Sequence, residues 1–306
     1  MVRKSIVIIS ILAFSLFLAS CSGGSGEADT TSPGAFFGGS EGIEVTFEPL
    51  SIMEEGMYTI YDTEDFPLEM IVSNKGEHSV ESGDVRLELL GPAQADFSNI
   101  ASWTKSNAET IEEISEFNPD GDEEVISFTP NSYATYNADI IGYQDITWFV
   151  DFDYDYKTYL IVNDICFKGD SSDDRVCEVS EGKTYSVSGA PISITSVEQD
   201  TGGKGIMLLK IGISNLGTGD ATIVGEDFDD RFSQVAYTIE DSLEWNCKSG
   251  GRENEARMVD GTAEIICQLS EALNEDDLYT KSVSLTFDYT YRDIVSENLR
   301  VKESAE

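Results

Sequence analysis

Phe152-Asp153-Tyr154-Asp155-Tyr156-Lys157 alternates aromatic and polar side chains, and Phe287-Asp288-Tyr289-Thr290-Tyr291-Arg292 repeats the pattern 135 residues later. In an extended chain successive side chains point to opposite faces, so Phe and Tyr share one face of each run while Asp or Thr line the other. Each run therefore reads as the last inward-facing strand of a half-buried sheet. A second pair stands in the same order. Val72-Ser73-Asn74-Lys75-Gly76 corresponds to Ile213-Ser214-Asn215-Leu216-Gly217, 141 residues on. Two ordered matches with nearly equal offsets predict a duplicated domain. In both copies an apolar strand runs into Asn-x-Gly, which predicts a tight turn with the glycine at positive φ.

Working outward, the same alternation marks Ile43–Phe47, Phe66–Val72, Val85–Leu89, Ile192–Ile194, Leu209–Ile213 and Val283–Tyr291. Turn residues separate the runs at Asn74-Lys75-Gly76, Gly121, Gly202-Gly203 and Gly217-Thr218-Gly219. Many short half-buried strands with glycine-rich turns predict an all-β fold of two tandem β-sandwiches, residues 43–187 and 188–303, with the boundary where Val187-Ser188-Gly189-Ala190-Pro191 breaks the pattern. Ser106 with Glu109 fits a capping box, and Ile111 and Ile114 fall three apart, which allows one helical turn there.

Before the first sandwich, Arg3 and Lys4 precede an apolar run from Ile6 to Ala19. A basic start, an apolar segment and small residues at its end predict a signal peptide over residues 1–20. The run falls short of the roughly 20 residues that cross a bilayer as a helix, so an uncleaved anchor is the weaker reading. Leu18-Ala19-Ser20-Cys21 resembles the lipobox of prokaryotic lipoproteins, and the resemblance implies cleavage before Cys21, a lipid on its sulfur and an extracellular face for the rest. Residues 21–42 are rich in Gly and Ser and read as a flexible tether. Phe36 and Phe37 are its apolar exceptions, available to dock on the first domain.

Without residues 1–20 the chain carries 17 basic against 58 acidic side chains. Such a surface repels nucleic acid and anionic head groups, so no nucleic-acid partner is expected. Scattered acids with scarce lysine predict a surface suited to high salt. Four cysteines follow Cys21, namely Cys166, Cys177, Cys247 and Cys267. In an exported chain they predict disulfides, for which three pairings are open. Nearest-neighbour pairing closes two short loops within one domain each. A zinc site competes poorly, for there is no Cys-x-x-Cys and the single histidine, His78, lies far away.

From Phe66 to Leu90, and again from Met207 to Val224, strand, Asn-x-Gly and strand resemble the Ig-like β-sandwich domains called CARDB. Phe37-Gly38-Gly39-Ser40-Glu41-Gly42-Ile43, then Asn74-Lys75-Gly76-Glu77, then the paired cysteines, are similar to surface lipoproteins of DPANN archaea. The resemblance spans most of residues 36–300. It implies an envelope location and a tandem sandwich, and supplies no catalytic residue.

No catalytic constellation is legible. His78 lies beside an expected hairpin turn and reads as a surface residue, and paired cysteines leave no thiol nucleophile. Gly202-Gly203-Lys204-Gly205 lacks the spacing of a phosphate-binding loop and reads as a hairpin turn. Acidic pairs are too numerous to single out a hydrolase. Asp120, Asp122 and Glu124, and Asp227, Asp229 and Asp230, group hard oxygen ligands in loops as candidate Ca2+ sites, without EF-hand spacing. Asp170, Asp173 and Asp174 form a further group, and Asp151, Asp153 and Asp155 share one strand face. No other cofactor is implied. The expectation is a non-enzymatic, lipid-anchored cell-surface protein for binding, adhesion or envelope scaffolding, with a surface protein or a polysaccharide as partner. The alternatives are a substrate-capture lipoprotein of a transporter, with Trp103, Trp148 or Trp245 near a cleft, and an extracellular hydrolase.

Overall fold

The computed structural model describes residues 35–170, 172–173, 175, 177–229 and 231–305. The expected signal peptide, the expected lipidation site Cys21 and the acids Asp174 and Asp230 lie outside them. The first half contributes β1 (Ile43–Phe47), β2 (Ile52–Glu54), β3 (Met57–Tyr61), β4 (Asp65–Phe66), β5 (Glu69–Asn74), β6 (Val85–Leu90), β7 (Phe97–Ser98), β8 (Thr104–Ser106), β9 (Glu123–Ser127), β10 (Ala134–Tyr136) and β11 (Tyr143–Lys168). The second half adds β12 (Glu181–Gly182), β13 (Tyr185–Val187), β14 (Ile192–Gly203), β15 (Ile206–Asn215), β16 (Asp220–Thr222), β17 (Ser233–Ile239), β18 (Trp245–Ser249), β19 (Arg252–Glu253), β20 (Glu255–Met258), β21 (Thr262–Leu269) and β22 (Leu278–Lys302). The fold is an all-β sandwich, as the alternation predicts.

Strand pairing repeats. In the first half β1, β5 and β9 form one sheet, while β6 lies between β8 and β11. In the second, β14, β15 and β21 pair in the same order, and β17 lies between β20 and β22. The inner faces of these sheets share one apolar core, with Val72, Leu87 and Phe152 buried in the first half and Ile213, Leu285 and Phe287 in the second. Each such side chain contributes about 1.5–3 kcal/mol by leaving water.

What joins the halves is a pair of long strands. The 26-residue β11 and the 25-residue β22 run antiparallel from Tyr143 opposite Lys302 to Lys168 opposite Leu278, with one register shift between Val162 and Ile165. Tyr154 faces Tyr291 and Tyr156 faces Tyr289. The repeat equates Tyr154 with Tyr289 and Tyr156 with Tyr291, so a local two-fold axis passes through the Asp155 and Thr290 pair, where the Thr290 hydroxyl donates to Asp155 Oδ1 over 2.5 Å. Each half's long strand is thus flanked by the other's, and the described residues fall in one compact unit. The segment expected to divide the chain into separate sandwiches is a buried hub. Ser188 and Ala190 are fully buried, Ser188 Oγ accepts from Tyr159 N over 2.9 Å, and Pro191 O accepts from Leu216 N over 2.8 Å.

The duplicated Asn-x-Gly differs from the expected positive-φ turn. Neither Gly76 nor Gly217 has positive φ. Asn74 Oδ1 instead accepts from Gly76 N over 3.2 Å and from the Tyr156 hydroxyl over 3.0 Å, and its amide donates to His78 O (2.7 Å) and Ile111 O (3.1 Å). Asn215 repeats the latch, with Gly217 N and the Tyr291 hydroxyl each 3.1 Å away and Gly219 O at 2.7 Å. Glycine is required because a Cβ at Gly76 or Gly217 would overlap the tyrosine hydroxyl. Burial, then neighbouring tyrosines, push the Tyr154 and Tyr156 hydroxyls well above the usual phenol range, so both remain hydrogen-bond donors.

Three further expectations meet physical corrections. The capping-box segment is not helical and bends at Ala108 and Glu109. Buried Asn107 accepts from Gly83 N and Val85 N (2.9 Å each) and donates to Glu81 O and Glu109 O (2.8 Å each), which satisfies the backbone without a helix. His78 is half-buried rather than superficial, with Nδ1 3.0 Å from the Tyr159 hydroxyl. Finally, residues 35–42, expected within the flexible tether, are held to the body. Glu77 accepts from Phe37 N, Gly38 N and Gly189 N at 2.7–2.8 Å, and Phe36 stacks on Tyr159 at 6.2 Å.

Candidate binding groove

A groove of about 890 Å3 lies on the outer sheet face of the second half. Its floor is built by alternation. Asn246 and Lys248 on β18 point outward, as do Glu264, Ile266 and Gln268 on β21, whereas Trp245, Cys247, Ile265, Cys267 and Leu269 point into the core. Register sets Asn246 beside Gln268 and Lys248 beside Ile266. Between those two pairs, on the inner side, Cys247 and Cys267 are direct cross-strand neighbours joined by a disulfide, with Cα atoms 3.9 Å apart. This bond fastens β18 to the sheet, since only the two-residue β19 flanks its other edge. The β18 to β19 hairpin turns through Gly250 and Gly251, both at positive φ (55° and 85°), as a two-residue connection requires.

Charge distinguishes this groove. Its walls carry Lys248, Arg252 and Arg257 against one acid, Glu264, in a chain of net charge −39. Lys248 pairs with Glu253 at 3.0 Å and Arg252 with Glu255 at 2.5 Å, both exposed enough for water to weaken the attraction to at most about 1 kcal/mol. The Arg257 guanidinium lies 4.4 Å from the Phe232 ring centre. Its Nε is buried and makes no hydrogen bond among the described residues.

The other disulfide, Cys166 to Cys177, closes the loop after β11, where Gln199 accepts from Cys166 N (2.9 Å) and donates to Cys166 O (2.5 Å). Nearest-neighbour pairing of the cysteines is therefore the one present.

The candidate cation ligands do not converge. Among the described residues no group of three or more His, Cys, Asp or Glu side chains is placed to hold a metal ion. Glu124 spends its carboxylate on Ala108 N (2.9 and 3.1 Å) and Glu109 N (3.2 Å), Asp122 accepts from Glu123 N (2.9 Å), and the Asp120 carbonyl accepts from Lys75 Nζ (3.2 Å). Asp229 grips Arg231 through two bonds of 2.8 and 2.6 Å, which hold its carboxyl down to about 2. Asp227 lines a shallow pocket beside Phe232 and Arg257. Asp173 is likewise paired with Arg175. On the outer face of β11, Arg292 lies 3.4 Å from Asp151 and 3.3 Å from Asp153.

The tryptophans belong to the cores. Trp148 packs on Trp103, Phe97 and Phe66, and Trp245 on Phe167. A smaller groove of about 320 Å3 lies where the halves meet, floored by Phe152, Tyr154 and Tyr291 and rimmed by Glu41, Glu44 and Asp293. Among the described residues no helix is long and apolar enough to cross a membrane. The basic groove went unread in the sequence, because its walls meet only through the β18 to β21 register. No protein-family model matches this sequence, and no curated protein matches it either.

Proposed function

We propose that the protein is a non-enzymatic cell-surface module for binding, adhesion or envelope scaffolding, held to the membrane by a lipid on Cys21. The observation that carries this reading is the basic, disulfide-fastened groove on an otherwise strongly acidic body. A fixed open surface with side-chain amides, cations and apolar patches suits recognition of a partner. The chemistry of catalysis finds less support. The imidazole of His78 is committed to the Tyr159 hydroxyl and packed edge-on to Tyr156, and the four described cysteines are bonded in pairs. Transporter-linked capture is a second reading, which draws on the aromatic floor and acidic rim of the smaller groove.

Fractionation of cells expressing the full chain and its Cys21→Ser variant tests the anchor. The full chain is expected with the membranes and accessible to protease added to intact cells, and the variant in the soluble exported fraction. Equal partition of both, or protection of the full chain from protease, overturns the reading.

A further inference from the structure

We infer that the groove between β18 and β21 docks an acidic polysaccharide, one whose sugar rings carry carboxylates. The inference rests on the surface-binding reading and names the ligand class of that site. Three features converge on it. Charge comes first: Lys248, Arg252 and Arg257 line the groove against Glu264, and the exposed pairs that Lys248 and Arg252 make with Glu253 and Glu255 are weak enough to exchange, so an anionic polymer repelled elsewhere on a chain with 58 acidic side chains finds cations to meet here. Second, Arg257 presents a buried Nε with no hydrogen-bond partner among the described residues. The guanidinium as a whole, set over Phe232 in the groove wall, has no carboxylate at ion-pair distance among the described residues, so it is the cation left to take a ligand carboxylate. Third, the floor mixes the groups that sugars use. Asn246 and Gln268 stand side by side with amides free to bridge ring hydroxyls, and Ile266 and Val259, 41% and 59% exposed, offer apolar contact to the C–H faces of the rings.

A polysaccharide fits better than an acidic peptide. Extended peptides bind sheets by adding a strand at an open edge. Here the floor is a sheet face, and the backbone of β21 is already paired with β15 on one side and β18 on the other. What remains for a ligand is side-chain amide, hydroxyl and guanidinium chemistry. The cross-strand disulfide holds those groups in register before the ligand arrives, which lowers the ordering cost of binding.

Calorimetric titration of the mature full chain with polygalacturonate, neutral dextran and poly-glutamate tests the inference, at about 0.15 M and about 1 M salt, where the screening length is roughly 8 and 3 Å. Polygalacturonate is expected to bind, more weakly at the higher salt, and dextran not to bind. Lys248→Gln with Arg252→Gln should weaken binding at least tenfold, whereas Arg86→Gln, on β6 of the first half, should leave it unchanged. Asn246→Ala with Gln268→Ala keeps the charge and should still cost several-fold, with an unaltered melting temperature as the control for folding. Poly-glutamate binding as tightly as polygalacturonate, or affinity indifferent to both pairs of substitutions, overturns the inference. A chain that is surface-anchored by the Cys21 test yet fails to bind polygalacturonate loses this ligand class and keeps its location.

Discussion

Replacing Asn74 by alanine should cost far more stability than the same change at Asn215, although the two residues occupy equivalent latches. Asn74 is fully buried, and its loss strands the Gly76 N–H and removes the acceptor of the buried Tyr156 hydroxyl. The Ile111 carbonyl keeps Val80 N as a partner, and the His78 carbonyl is near enough to solvent to recruit water. Two buried groups at about 1–3 kcal/mol each give a loss of about 2–6 kcal/mol. At Asn215 the side chain is only partly buried, so water can reach Gly217 N and Gly219 O, and a loss of about 1–2 kcal/mol follows. Urea unfolding at about 1 M salt, fitted for midpoint and slope, measures both. Tyr156→Phe combined with Asn74→Ala should lose less than the sum of the single changes, because the two share one hydrogen bond, with a coupling of about 0.5–3 kcal/mol. Equal losses at the two asparagines, or strict additivity at the first latch, would refute the account of the latch as a hydrogen-bonded lock graded by burial.

Gly76→Ala should destabilise by more than about 1–3 kcal/mol, since the added methyl meets the Tyr156 hydroxyl and the carbonyls of Glu41 and Gly189, whereas Gly142→Ala, at φ 80° with open space around it, should lose only the smaller cost of its backbone strain; thermal melts compare them. For His78, burial foremost and then Lys157 lower the folded-state pKa to about 4 from 6.5, so the unfolded chain takes up the proton first and His78 makes stability fall as pH drops from about 6.5 to 4. His78→Gln should flatten that stretch of the profile, and an unchanged slope, or an imidazole found to titrate near 6.5 by NMR, would contradict the burial argument. Cys247→Ala with Cys267→Ala should cost roughly 3 kcal/mol or less and weaken polygalacturonate binding beyond what stability alone explains, read by melting and titration together. Dilution below about 0.1 M salt should lower the melting temperature, because 58 acids repel over a lengthening Debye distance.

What was legible of the fold lies within single strands. Tyr154 and Tyr156 announced their inward face by alternation with Asp153 and Asp155, and the two Asn-x-Gly copies announced the duplication. What escaped was long range. Asn74 looks like a turn residue because its bond to Gly76 N is local, while its partner Tyr156 lies 82 residues away. In the sequence, backbone freedom is the visible reason for glycine at 76 and 217, and only the approaching hydroxyl shows that room for the side chain is the constraint. Neither the mutual pairing of β11 and β22 nor the juxtaposition of Lys248 and Ile266 follows from composition, since register is set by the folded sheet as a whole.

Mechanically, the long ribbon of β11 and β22 removes the swivel that a tandem arrangement would ordinarily possess. Rotation of one half against the other would shear ladder bonds along some two dozen paired positions at once, rather than flex a few linker torsions. The clip at Glu77 seizes the incoming chain next to this spar, where both halves converge. If the chain is held at its amino-terminal end as proposed, tension on a docked polymer would travel as through a stiff lever to that end, and drag would tilt the body as one piece.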